Sequence, residues 1–548
     1  MSQLAAMKKR LSGKASLSGW ILPKMESSWA PPGVRTNIDM DPTPLSRRTW
    51  TYWTNLGYWI SDVISIQSWT TGSTILAVGL TWKEAVFSII VGSTIMAIPM
   101  TLNGYTGAKC HVPFPVLARA SFGYQFAKFP VILRLITAMF WHGITNYLAV
   151  GPMTQVIRAI WPSFRTMINH LPASAGVTSQ ALIAYSVLWM IQFPLLLIPV
   201  HKMKWLFMTK TIMMTMTVVG MLIWICVKVK GSGDVWNQRA EVSGSQKAWL
   251  TMWALNSCTA SWSTVGVNIP DFTRYMNKPR DILYQGLWFP LVCSWIAIIG
   301  IVVTSASKTI YGEYLWSPVS IIDMWDGPGG RAAAFFCGVS WLLAQMCVNI
   351  SATVVSGAND MVNLWPKWIN IKRGTIFITV VGSWAIVPWK ILTSASSLLN
   401  SMSSLGIFLA PCMGILCSDF FLVKRQMLDV PALYDPQGRY AHSYGTNSRA
   451  IVALVAALGP TLPGLIHAVN PKIDIGGAEY VADFKWYYGI VISSVVYSAL
   501  SLMLPVEETL IPYMVTGVIE GIDAGEIASL EKSAKEKELA VITARSQD

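Results

Sequence analysis

Charged side chains are scarce in this chain of 548 residues: Asp, Glu, Lys and Arg make up 13% of it, about half the share of an ordinary soluble domain. That shortage excludes a soluble enzyme of several domains, and with 53% of residues apolar it excludes a disordered chain too. No nucleic-acid partner is expected either, because the net charge of +13 is dispersed between apolar runs and not gathered in one stripe. Disulfide and metal patterns are also missing. Seven cysteines (Cys226, Cys258, Cys293, Cys337, Cys347, Cys412 and Cys417) sit inside apolar runs, where a thiol packs as a small hydrophobe. Cys110 falls in a connecting segment, and there is neither a CxxC nor a Cys–His cluster at ligand spacing. No metal and no cofactor is expected. The apolar runs hold no paired carboxylates and no nucleophile–base set, which argues against an enzyme.

What the chain does have is length enough for many membrane crossings, each needing about 20 mostly apolar residues. Twelve segments qualify, near 57–80, 83–104, 130–157, 179–200, 205–227, 249–270, 284–306, 332–356, 374–393, 397–423, 450–470 and 486–505. An all-α polytopic membrane protein is therefore expected, with polar tails at 1–56 and 506–548 around a unit at 57–505. The polar lead before the first span does not read as a cleaved signal peptide. It carries Lys8, Lys9, Arg10, Lys14, Lys24, Arg35, Arg47 and Arg48. The side holding both tails and the even-numbered gaps collects more than twice as many Lys and Arg as the other, so both termini are expected in the cytoplasm. Arg134 and Lys210 fall within spans; Lys210, near the start of the fifth, is expected to snorkel to the interface. Glu531–Glu538 reads as a solvated helical tail.

Three spans carry polar groups that are costly to desolvate unless they are paired or line a wet cavity. The first has Asp62, Ser65, Gln67 and Ser68; the sixth has Asn256, Ser257, Thr259, Ser261 and Ser263; the eighth has Gln345, Asn349, Ser351 and Thr353. Any one hydroxyl can simply bond back to a helix carbonyl or glue two helices. Taken together, interruptions in spans one and six, five apart, match a five-plus-five inverted repeat whose broken helices meet at a midplane substrate site. The repeats would cover 57–227 and 249–423, with two further helices at 450–505. Asn349-Ile-Ser351 fits the N-glycosylation pattern but lies within a span, out of reach.

Four stretches carry a resemblance to a known family. They are Asn37-Ile-Asp-Met-Asp-Pro-Thr-Pro with Arg48-Thr-Trp; Lys109 to Gly123 (KCHVPFPVLARASFG); Asn268-Ile-Pro-Asp-Phe-Thr-Arg-Tyr275; and Pro388-Trp-Lys-Ile through Ser418-Asp-Phe-Phe-Leu-Val-Lys-Arg425 to Tyr440. Together they resemble the nucleobase–cation-symport-1 family, in its fungal uracil/allantoin-permease branch, over roughly 37–505. The resemblance implies twelve helices, the first ten in the leucine-transporter fold, with Lys109–Gly123 as a cytoplasmic loop. It implies a planar heterocycle held between two tryptophans, which align here with Trp141 and Trp262. Ring stacking suits such a cargo wherever its heteroatoms lie.

Edge-reading positions depart from the family pattern. Thr145, followed by Asn146, stands where an amide is common, and Thr353 aligns with the family's helix-eight asparagine. A hydroxyl offers different reach and fewer donors than an amide. Gln67 is the aligned contact from helix one, with Ser65 the alternative; Ser261 stands where relatives often carry glycine. The sodium-binding hydroxyls of the bacterial hydantoin transporter align with Cys347 and Val348, which offer no hard oxygen, so the resemblance implies proton coupling. Asp62 and His142 are the candidate proton carriers, because intramembrane ionisable groups are expensive to keep. Asp271 and Arg274 are expected to pair in a gate or structural network. The expected activity is import of a planar nitrogen heterocycle across the plasma membrane. Two other readings stay open: a thiamine or nicotinamide-riboside carrier of the same family, and a membrane sensor that binds without transporting. Lys532, Lys535 and Lys537 are candidate ubiquitin acceptors for trafficking partners.

Overall fold

The computed structural model of the protein describes residues 20–22, 29–31, 34, 36–198, 204–392, 404, 406–470 and 472–516. The tail cations Lys8 to Lys24 and Arg35, the start of the tenth expected span, Glu531–Glu538 and the three tail lysines lie outside those residues. Among the described residues there are helices and two isolated bridges, Trp50 with Met276 and Asp429 with Val515, and no β-strand.

The first expected span is two helices, α1 (Tyr52–Val63) and α2 (Ile66–Ala77), joined through extended Ile64 and Ser65. The second is one rod, α3 (Trp82–Cys110), started by a capping box of Thr81 and Glu84. Next come α4 (Phe114–Phe122), α5 (Lys128–Leu148), α6 (Val150–Ile160), α7 (Ser179–Leu196) and α8 (Lys204–Val229). The sixth span again breaks, into α9 (Gly244–Ala260) and α10 (Ser263–Asn268), followed by α11 (Pro270–Thr273). Beyond it lie α12 (Gln285–Tyr311) and α13 (Pro318–Asp323). The eighth span is α14 (Gly327–Val348), a π-helical stretch Asn349–Val355, and α15 (Ser356–Leu364). The chain continues through α16 (Ile371–Trp384), α17 (Gly406–Ser418), α18 (Ser448–Leu458), α19 (Leu462–Val469), α20 (Ala478–Asp483) and α21 (Lys485–Met503).

Eight helical stretches among the described residues are long and apolar enough to cross a membrane. The expected spans missing from that set are the first, third, sixth and ninth. Breaks shorten the first and sixth, Arg134, His142 and Asn146 dilute the third, and α16 has only 14 residues.

Close backbone approach fixes α2 in the bundle. A Cβ at Gly72 would stand 2.7 Å from the Ala297 carbonyl oxygen, and one at Gly300 would stand 2.6 Å from that of Trp69. α2 and α12 therefore meet through glycine on both sides. Elsewhere a wholly buried ion pair joins Arg134 of α5 to Asp360 of α15.

Two expectations are corrected here. The segment Lys109–Gly123 is not an open loop, since α4 occupies it and every residue of that helix is buried. Its apolar residues pack inward, and Asp271 accepts the Phe114 N–H at 2.9 Å to cap the helix N-terminus. Lys210 does not snorkel: it is wholly buried, and its Nζ has no hydrogen-bond partner among the described residues. It faces Asp62 of α1 and Cys347 of α14 and not the lipid.

Candidate functional site

A cavity opens where the two broken helices meet α5 and the eighth span. Trp141 from α5 and Trp262 from the break between α9 and α10 both line it. Trp262 is braced from behind by edge-on contacts with Trp59 at 6.1 Å and Phe289 at 5.1 Å. Trp141 is 8% exposed, so most of its surface is already packed and its orientation is set before any ligand arrives.

Each break is held by side chains from elsewhere, as irregular backbone in a bilayer requires. At the first, Gln345 of α14 accepts the Ile66 N–H at 3.1 Å, and the Ser65 hydroxyl caps α2 by accepting the Ser68 N–H. At the second, Asn103 of α3 donates its amide to the Gly266 and Val267 carbonyls, each at 2.8 Å. Ser263 and Asn256 accept from the Trp486 indole and backbone N–H at 2.8 and 2.9 Å. Ser261 lines the cavity with its hydroxyl donating to the Cys258 carbonyl at 2.9 Å.

Polar groups on the cavity wall differ in what they leave free. Gln67 donates Nε2–H to Thr145 Oγ1 at 2.8 Å, linking α2 to α5, while its Oε1 has no partner among the described residues. Gln67 lines the cavity, and this oxygen is buried in the cavity wall. Thr353 also lines it, but its hydroxyl donates back to the Asn349 carbonyl and to Asn349 Oδ1, both at 2.6 Å. Toward a ligand it can only accept. The π-helical turn that carries Thr353 is the kind of distortion found where a helix serves a site.

Asn146 and His142 are placed elsewhere. One residue round a helix is about 100°, and that step turns both away from the cavity into a closed cluster. His142 Nδ1–H donates to Asn349 Oδ1 at 2.7 Å, and Asn146 donates to His142 Nε2 at 3.0 Å and to the Ser383 hydroxyl at 2.9 Å. Asn349 completes the ring by donating to Asn146 Oδ1 at 2.7 Å. Asn349 is 0% exposed, so its glycosylation motif is sealed. Asn349, expected among the polar groups of the site, is instead spent on this cluster, and Ser383 does not stand out from sequence, because polar residues within a span carry no mark of which neighbour they will meet.

Asp62 lines the cavity and accepts from Ser351 Oγ at 2.5 Å, with Lys210 facing it from α8. Val348 lines the same cavity and Cys347 is buried behind it. Among the described residues no three His, Cys, Asp or Glu side chains come together as a metal site would require.

Asp271 and Arg274 do not pair within ion-pair distance. Asp271 caps α4, whereas Arg274 donates to the Asp39 carbonyl at 3.0 Å and to the Tyr275 hydroxyl at 2.9 Å. Burial holds His111 down at about 4, so at pH 7 its neutral ring donates Nδ1–H to the Arg274 carbonyl at 3.0 Å. Together these contacts staple the N-terminal segment to the base of the sixth span.

Residues 42–489 match the family described as permease for cytosine/purines, uracil, thiamine, allantoin. The chain belongs to that family. An uncharacterized permease of Schizosaccharomyces pombe is 39% identical over 89% of this chain and 87% of its own length. The uracil permease of Saccharomyces cerevisiae is 30% identical over 86% of this chain and 76% of its own. In fold, the permease is similar to the inward-facing conformation of Mhp1, with a TM-score of 0.69 at 20% identity, covering 88% of this chain and 99% of that one. The protein is thus a helical, integral membrane transporter of the nucleobase–cation-symport group, a family that binds small heterocyclic substrates, and not an enzyme.

Proposed function

We propose that this permease imports a nucleobase or related planar nitrogen heterocycle, of the uracil or allantoin kind, with a proton and by alternating access. One observation carries the reading: Trp141 and Trp262 line a single cavity beside the unpartnered Gln67 Oε1. Two indole faces grip a flat ring without regard to its heteroatoms. An unpaired amide oxygen in that wall, like Asp62 Oδ2, which is also unpartnered among the described residues, rewards a ring N–H, because leaving such an oxygen dry and unpaired is costly. Thr145 sets the acceptor by holding the other end of the Gln67 amide, and Ser65, Ser261 and Thr353 complete the polar wall.

The same reading takes the bundle as twelve helices in a five-plus-five inverted repeat, 57–227 and 249–423, with helices at 450–505 added and both tails in the cytoplasm of a plasma-membrane protein. Breaks at Ile64–Ser65 and Ser261–Trp262, at like places in the two halves, support the repeat. For coupling, Asp62 is favoured over His142, since it lines the cavity and faces Lys210, whereas His142 is consumed in the Asn146–Asn349–Ser383 cluster. A sodium site is disfavoured because Cys347 and Val348 bring no hard oxygen, and a buried ammonium already stands nearby.

Uptake of labelled uracil, allantoin, thiamine and nicotinamide riboside into a transport-null host tests the cargo. Accumulation of one of the first two above its external level, abolished by a protonophore, is expected. Uptake of thiamine or the riboside alone overturns the cargo, and protonophore-resistant accumulation overturns the coupling.

A further inference from the structure

A second, polar cavity lies on the face of the bundle that carries the N-terminal segment, and it shares no lining residue with the tryptophan site. It lies between α4, the start of α5, the end of α15 and residues 36–40. Arg119 of α4 and Lys128 at the start of α5 line it, and no Asp or Glu does.

Arg119 is the unusual group. It is 8% exposed, and among the described residues no carboxylate lies within ion-pair distance of it. Its contacts are neutral: Nη1–H donates to the Leu433 carbonyl at 3.0 Å and Nη2–H to Asn363 Oδ1 at 2.8 Å. Tyr124 lies over its plane at 4.8 Å and Tyr434 at 6.0 Å. Arg134, the comparably buried arginine of α5, has Asp360 against it. A buried charge without a counter-ion is strongly unfavourable, so Arg119 carries an unmet demand for an anion in the wall of a polar cavity. Lys128 adds a second cation, bonded only to Gln125 Oε1 at 2.6 Å.

We infer that this cavity binds a phosphate monoester, its dianionic group held between Arg119 and Lys128 and its organic body filling the space toward Asn37 and Asn363. Two cations with no acid match a dianion better than a single carboxylate. A guanidinium positioned by two fixed bonds is suited to phosphate oxygens, and the lining extends past the two cations to Asn37 and Asn363, where an organic body can sit. Occupancy ties the N-terminal segment to α4, α5 and α15. With the termini in the cytoplasm, as proposed above, the ligand comes from cytoplasmic metabolites or from a phosphoinositide headgroup.

The full chain in phosphatidylcholine nanodiscs is titrated with inorganic phosphate and with adenosine monophosphate in chloride buffer, and compared with nanodiscs that also carry phosphatidylinositol 4-phosphate. At least one probe is expected to raise the melting temperature. Arg119→Gln is expected to abolish that response, and Lys128→Gln, at an exposed position, to weaken binding about tenfold. A response to adenosine monophosphate assigns the soluble source; one confined to the phosphoinositide assigns the lipid. The inference is overturned if no probe moves the melting temperature or if Arg119→Gln responds as wild type. Should that variant fail to fold, a wild-type response from Lys128→Gln overturns it. Substrate uptake enters none of these readouts, so the inference fails separately from the transport reading.

Discussion

Two faces of one helix do opposite jobs in this permease. On α5, Trp141 and Thr145 look into the tryptophan-lined cavity, while their immediate neighbours His142 and Asn146 look into a sealed cluster with Asn349 and Ser383. Both pairs have the same i, i+4 spacing and both are polar or amphipathic. They differ in what is left over. The sealed face spends its donors and acceptors on protein partners, which fastens α5 to the eighth and ninth spans. The open face leaves Gln67 Oε1 unpartnered and one indole surface available. What separates the two faces is the cavity: the open pair lines it, and the sealed pair does not.

Trp141→Ala breaks the open face and carries the largest expected effect. Losing a packed ring costs about 3–5 kcal/mol, more than a hundredfold in substrate affinity, and uptake should vanish while the protein still reaches the membrane. Wild-type uptake by that variant removes the ring from the site. Asn146→Leu breaks the sealed face, stripping partners from His142 and Asn349. About 1–3 kcal/mol is expected for each buried group left unpaired, read as a lower thermal unfolding temperature, with the KM of the folded fraction within about twofold of wild type. An altered KM at unchanged stability would mean the two faces have been assigned the wrong way round. Thr145→Val sharpens the contrast with the smallest change. It keeps the shape but removes the acceptor for Gln67 Nε2–H, worth about 1 kcal/mol, and should shift the preference among competing heterocycles about fivefold. An unaltered ranking would take the Gln67–Thr145 pair out of ring recognition.

How much of this could be read in advance follows the same division. The helices that fall short in length or apolarity include the first, third and sixth, which build the cavity together with the eighth. Their polar residues announced a site and its approximate members. Asn146, next to Thr145, can serve the site only if α5 is rotated by about 100°, and α5 instead turns it into the His142 cluster. Lys210 looked like an interfacial lysine near a helix end, but α8 turns it toward Asp62. The run from Lys109 to Gly123 looked like a connecting loop because its polar termini flank a short apolar core; packed against Asp271, that core becomes a buried helix.

The sequence by itself determined the helical membrane class, the permease family, the two tryptophans and the places where spans one and six are interrupted. The class and the interruptions depend on composition and periodicity, and the family and its two tryptophans on motifs that resemble known relatives; all are properties of neighbouring residues. Tertiary structure decided which polar groups are spent and which are free: Asn349 closing on His142, Gln345 on the first break, Asp360 on Arg134, and nothing acidic on Arg119. The reason is that a hydrogen bond or ion pair inside a bilayer is settled by partners far apart along the chain, and the linear order of residues does not say which of them will meet.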